Sequence, residues 1–170
     1  MTCSTRRSNI RHRTARNPIE IYQVVWTPRR IPLSYSRHIT GRYSPGPRRD
    51  AIPFESLLER SAIEALLRLP FTEEVRAQPV TLSYSVLRTI CTYTPDILVR
   101  LSYVPPSLSA LGWENSTLIE VKPMRVAARQ AARIRFKLRI AELATDLPGV
   151  CLTEEGIQFL SDLAKEGAGQ

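Results

Sequence analysis

The sequence predicts an α/β fold, a mixed β-sheet flanked by helices, on three observations. Segments 92–102 and 117–122 are rich in β-branched residues and Leu and are bounded by Pro and Ser clusters, as strands are. Phe54–Leu69 and Met124–Thr145 carry apolar residues at helical spacing. The order that results is helix, strand, strand, strand, helix, strand, helix, which places both types in one layered domain. At 170 residues and 43% hydrophobic content, the chain can bury a core of its own.

Taken in order, residues 1–18 are expected to lack regular structure, and Ile19–Trp26 has the composition of a strand. Residues 29–50 read as loop, with the turn chemistry of GlyArgTyrSerProGlyPro and a basic pair at Arg48 and Arg49. In the helix Phe54–Leu69, the residues Leu58, Ala62, Ala65, Leu66 and Leu69 form the apolar stripe. Arg60, Glu64 and Arg68 form a ladder spaced by four on another face. Val80–Val86 reads as a strand after a turn at Pro79, and Pro105, Pro106 and Gly112 make 103–116 a loop. Met124–Thr145 begins just past Pro123, with Ala127, Ala131, Ile134, Leu138 and Ala141 as its buried stripe. Beside that stripe runs a basic row, Arg125, Arg129, Arg133 and Lys137. A short strand at Gly149–Thr153 and a helix over 154–165 complete the chain.

Charge divides the chain at about residue 50. Residues 1–50 hold eleven arginines against Glu20 and Asp50, whereas 51–170 hold thirteen basic and fourteen acidic residues. The formal net charge of +8 therefore belongs to the N-terminal third, a basic, partly disordered arm on a near-neutral domain over 51–170. Such an arm suits a polyanionic partner, most simply nucleic acid; a solvated, idle tail and, for the acid-free residues 1–16, an organelle transit peptide are the competing readings. No apolar run approaches the ~20 residues of a membrane span. Cys3, Cys91 and Cys151 lack the spacing of a zinc site or a disulfide framework, and the reducing cytoplasm is the expected location. With His12 and His38 as the only histidines, a His-dependent triad is not expected.

The chemistry gathers in Tyr93–Pro123. If 92–102 and 117–122 form an antiparallel hairpin, the start of the first strand lies beside the end of the second. Asp96 then neighbours Glu120 and Lys122, which are two apart and leave one face. Two carboxylates and an ammonium there would hold a hard divalent cation beside a positive point charge, as phosphodiester cleavage requires. Glu59, on the first helix, admits two readings. It closes a capping box with Ser56, or it points toward the same cation, which would offset its i,i+4 repulsion with Glu55. The basic row after Lys122 is either a solvated helix face or a surface along a phosphate backbone.

ProAsp, twenty-three intervening residues, GluValLys, an upstream helical Glu and a downstream basic helix together match the PD-(D/E)XK nuclease core. More closely, PheGluSerLeuLeuGluArg, ValArgAlaGlnProValThrLeu, TyrThrProAspIleLeuVal and LeuIleGluValLysPro, with GlyArgTyr at 41–43, resemble the N-terminal catalytic domain of TnsA-type transposon endonucleases. The resemblance covers roughly residues 41–157. It implies a restriction-endonuclease-like fold with catalytic residues Glu59, Asp96, Glu120 and Lys122. Mg²⁺, replaceable by Mn²⁺, would be held by Asp96, Glu120 and the Val121 carbonyl, with Glu59 reaching it directly or through water, and Gln78 would take a supporting role. Arg48, Arg49, Arg125, Arg129, Arg133 and Lys137 would contact double-stranded DNA at transposon ends. The implied activity is cleavage of the 5′, non-transferred strand in concert with a DDE transposase (TnsB-like). An AAA+ regulator (TnsC-like) binds a C-terminal helical domain in the family; that domain has no counterpart here, which weakens the expectation of a regulator. Two other functions fit the same residues: a non-catalytic DNA-binding or assembly subunit, and a restriction or repair nuclease of the same superfamily.

Overall fold

The computed structural model describes residues 10–12, 19–27, 39–46 and 50–167. Arg48 and Arg49 fall outside the described residues.

The centre of the fold is a four-stranded mixed sheet in the order β10 (Gly149–Leu152), β9 (Ser116–Val121), β8 (Ile97–Leu101), β5 (Thr72–Ala77). β5, β8 and β9 pair antiparallel, and β10 lies parallel to β9. The expected hairpin is present, with Ile97 opposite Ile119 and Arg100 opposite Ser116. From Thr117 to Val121 every residue of β9 is buried, because both faces of this strand are covered. On one face Ile97, Val99, Leu101, Ile119 and Val121 join Ala62, Ile63, Leu66, Ile157 and Leu160 in a core. These last five come from α1 (Leu57–Arg68) and α5 (Glu154–Gly167).

The opposite face meets a second sheet, order β1 (Ile10–His12), β2 (Ile19–Val25), β6 (Thr81–Val86), β7 (Thr89–Tyr93), antiparallel throughout. Leu98 and Leu118 of the central sheet pack there with Ile21, Val24, Leu82, Tyr84 and Tyr93, and with Ile140 and Ala141 of α4 (Ala131–Thr145). A two-stranded ribbon, β3 (Gly41–Tyr43) with β4 (Ile52–Phe54), leads into α1. Gly41 is required there: a Cβ would lie 2.6 Å from Phe54 Cζ, the ring of its partner across the ribbon.

Several sequence expectations are corrected. The segment 92–102 is not one strand. β7 ends at Tyr93 and β8 starts at Ile97, because Pro95 has no N–H to give a ladder and the corner Thr94–Asp96 carries the chain from one sheet to the other. β5 is a strand that composition hides, since ThrGluGluValArgAla buries only Val75 and Ala77 and has few β-formers. β1 and β3 lie within stretches read as structureless, and the connector 103–116 contains a short helix, α2 (Pro106–Ser109), that buries Leu108. The helix Met124–Thr145 is broken into α3 (Met124–Arg129) and α4, with Gln130 at φ −112° and ψ 17°. Nothing in ArgGlnAla explains that break. The expected stripe of α1 gains Ile63; that of Met124–Thr145 gains Ile140, while Ala127 and Ala131, expected to be buried, are half-buried. No helix among the described residues is long and apolar enough to cross a membrane.

Leu118, fully buried between the two sheets, and Ile90, 74% exposed on β7, make a test pair. Leu118→Ala is expected to cost about 2–5 kcal/mol in urea denaturation, and Ile90→Ala to stay within about 0.5 kcal/mol of the unaltered protein.

A buried carboxylate pair around one ammonium

The corner at 94–96 sets Asp96 one residue before β8, opposite the end of β9. Its Oδ2 accepts the backbone N–H of Val121 at 2.7 Å, so the carboxylate replaces a main-chain acceptor where the ladder ends. Its carbonyl accepts the backbone N–H of Gln78 at 2.8 Å. Gln78 is buried and held at φ +46°, a left-handed conformation uncommon outside Gly and Asn, and it anchors Asp96 through the main chain.

Glu120 and Lys122 leave the same face of β9, as period-two alternation requires. Lys122 Nζ lies 3.0 Å from Glu120 Oε1, 3.2 Å from Asp96 Oδ2 and 3.0 Å from the Val121 carbonyl oxygen. An ammonium has three protons, and these three oxygens can take all of them. The other oxygen of Glu120, Oε2, accepts the Tyr93 hydroxyl at 2.9 Å. On the far side of Tyr93, Lys137 Nζ stands 5.0 Å from the ring centroid. A polar line therefore runs from Asp96 through Lys122, Glu120 and Tyr93 to Lys137 on α4.

Glu59 closes the capping box. Its N–H donates to Ser56 Oγ at 3.1 Å, its Oε1 accepts the Ser56 hydroxyl at 3.0 Å, and its Oε2 accepts the Glu55 N–H at 2.8 Å. The box does not remove Glu59 from the site's electrostatics: burial raises its pKa against the capping hydrogen bonds and Lys122, and its charge raises that of Asp96. Burial and the Glu120 charge push Asp96 up to about 7, although Lys122 and the Val121 N–H oppose them. The Lys122 ammonium is held above its usual range: burial works against the charge, and Asp96 and Glu120 outweigh it.

The structure brings Asp96, Glu120, Lys122 and the Val121 carbonyl together, with Gln78 beside Asp96 and Glu59 within electrostatic reach. Among the described residues, no three His, Cys, Asp or Glu side chains lie close enough to hold one ion. The oxygen set nevertheless suits a hard divalent cation: two carboxylates and a carbonyl are ligands of the type Mg²⁺ takes, and it needs few from protein. One ammonium stands among Asp96, Glu120 and Glu59, and burial together with the Glu120 charge leaves the Asp96 pKa raised despite it. Arg125, Arg129 and Arg133 are exposed, but the break at Gln130 divides the basic row between two helices. Sequence reasoning missed Tyr93 as a site residue, although a buried tyrosine needs a partner for its hydroxyl.

An acid whose pKa is higher folded than unfolded loses stability as pH rises from about 4 toward its folded value. Asp96→Asn removes that penalty, so at pH 8 the variant is expected to be more stable, on the order of 1–3 kcal/mol. The gain should shrink toward zero near pH 4, read by urea denaturation across the range. Equal stability at pH 8 would show that the pair is not charge-strained. Compared with protein-family models, with curated proteins and with solved structures, the chain matches none.

Proposed function

We propose that this protein is a metal-dependent DNA endonuclease of the PD-(D/E)XK type, acting as the TnsA-like subunit of a heteromeric transposase on the 5′ strand at transposon ends. The observation that carries the reading is the convergence of Asp96, Glu120 and Lys122 at one end of an antiparallel hairpin whose strands both belong to a mixed sheet. The order α1, β5, β8, β9, α3–α4, β10 supports it further, because a helical acid, a carboxylate hairpin and a basic helix follow one another as that nuclease core requires.

Asp96, Glu120 and the Val121 carbonyl would hold Mg²⁺ or Mn²⁺. When bound, the ion would supply Lewis-acid stabilisation of the phosphodiester and lower the pKa of water. Lys122 supplies a compact positive charge that can neutralise charge growing on the phosphate, a task an ammonium suits better than a planar guanidinium. Gln78 fixes the main chain under Asp96, and the capping box fixes Glu59 at the mouth of α1. Arg125, Arg129 and Arg133 offer contacts to the DNA backbone that position without reading sequence. Lys137 lies against Tyr93, where the basic row meets the carboxylates. A DDE transposase is the partner this reading needs. The alternative of a non-catalytic subunit is disfavoured because a scaffold gains nothing from a buried and a half-buried carboxylate that repel each other.

In a strand-transfer reaction reconstituted with the partner transposase, Asp96→Ala and Lys122→Ala are each expected to lower 5′-strand cleavage by about a hundredfold or more. DNA affinity, read by fluorescence anisotropy, should remain within about threefold of the unaltered protein. Full cleavage by Lys122→Ala would remove the proposed mechanism.

A further inference from the structure

Tyr93 is a neutral side chain that touches the carboxylate pair, and its position is built from several sides. It ends β7 opposite Leu82 of β6, is 4% exposed, and packs in the core between the two sheets. Its ring lies under the Lys137 ammonium and its hydroxyl donates to Glu120 Oε2. Burial and the neighbouring Glu120 charge keep that hydroxyl protonated, so it remains a donor. A carboxylate on a buried strand can rotate about its last torsion, which is broad. With Oε2 fixed by Tyr93, Oε1 is turned toward Lys122 and the Asp96 side of the site.

We propose that Tyr93 is the positioning residue for Glu120, orienting the carboxylate so that one oxygen is free of the core and presented to a divalent cation. The inference rests on the nuclease reading above and extends it to a residue that supports a ligand without contacting substrate. Outer partners of this kind typically alter metal affinity or activity by about 10–100-fold when removed.

Tyr93→Phe isolates the claim, because the ring, its packing and the cation over its face all remain and only the hydroxyl is lost. Isothermal titration of the full chain with Mn²⁺ is expected to give a dissociation constant weakened about tenfold. Nicking at saturating Mn²⁺ should return to within about threefold of the unaltered rate, since a positioning defect is overcome by mass action. Tyr84→Phe, a buried tyrosine on the adjacent strand with no contact to Glu120, should bind Mn²⁺ as the unaltered protein does. In the unaltered chain with Cζ-labelled tyrosines, one of the six tyrosine signals is expected to titrate with Mg²⁺. Tyr93→Phe binding Mn²⁺ as tightly as the unaltered protein would overturn the role of Tyr93 and leave the nuclease reading intact. An unaltered protein that binds no Mn²⁺ would overturn both, and a tyrosine spectrum unmoved by Mg²⁺ would count against Tyr93 without any variant.

Discussion

Everything at this site depends on one ammonium among three oxygens. Burying Asp96 and Glu120 on the same sheet end is unfavourable, because desolvation and mutual repulsion both act against their charged forms. Lys122 offsets this by meeting both carboxylates and the Val121 carbonyl within hydrogen-bond distance. The compensation is incomplete, and Asp96 carries the residue of it as a pKa lifted to about 7. A fold selected for stability alone would place aliphatic side chains here, since breaking even on a buried charge cluster is difficult. The retained charge is therefore the physical argument behind the proposed nuclease function.

The corner Thr94–Asp96 turns that local arrangement into architecture. By ending β7 and starting β8 in another sheet, it places Tyr93 on one side of the core and Asp96 on the other, three residues apart in sequence. Glu120 then bridges them, bonded to the Tyr93 hydroxyl and sharing Lys122 with Asp96. The residue before this corner, Tyr93, packs in the core that Leu98 and Leu118 share between the sheets. At this same end of β9, Lys122 is followed by Pro123 and α3, whose first N–H donates to Glu154 Oε2 at 2.7 Å. The carboxylate there satisfies a helix-terminal donor and sits where the helix dipole favours it.

Much of this was legible in residue types. Strand-like composition and the Pro and Ser boundaries pointed to β2, β6 and β9, to β8 run together with the end of β7, and to the antiparallel hairpin that joins Asp96 to Glu120 and Lys122. Ser56 and Glu59 signalled the capping box, which forms. What stayed hidden did so for physical reasons. β5 is an edge strand whose outward positions are Glu and Arg, so its pattern lacks the β-branched run that marks a central strand. The β6–β7 hairpin turns through Leu87 and Arg88 at φ +49° and +69°, left-handed positions normally signalled by Asn or Gly. Tyr93 was invisible as a site residue because its partner lies 27 positions away and is met only after the sheets assemble. The N-terminal third carries the chain's net positive charge, yet Ile21 and Val24 of that segment belong to the core, which composition by thirds cannot reveal.

The most direct measurement is an anomalous difference map from a crystal of the protein grown with Mn²⁺. A peak between the Asp96 and Glu120 carboxylates, with the Val121 carbonyl oxygen within about 2.0–2.4 Å and Lys122 swung aside but adjacent, is the result this account requires. Crystals saturated with Mn²⁺ that show no anomalous density there, with Lys122 still bonded to both acids, would contradict it.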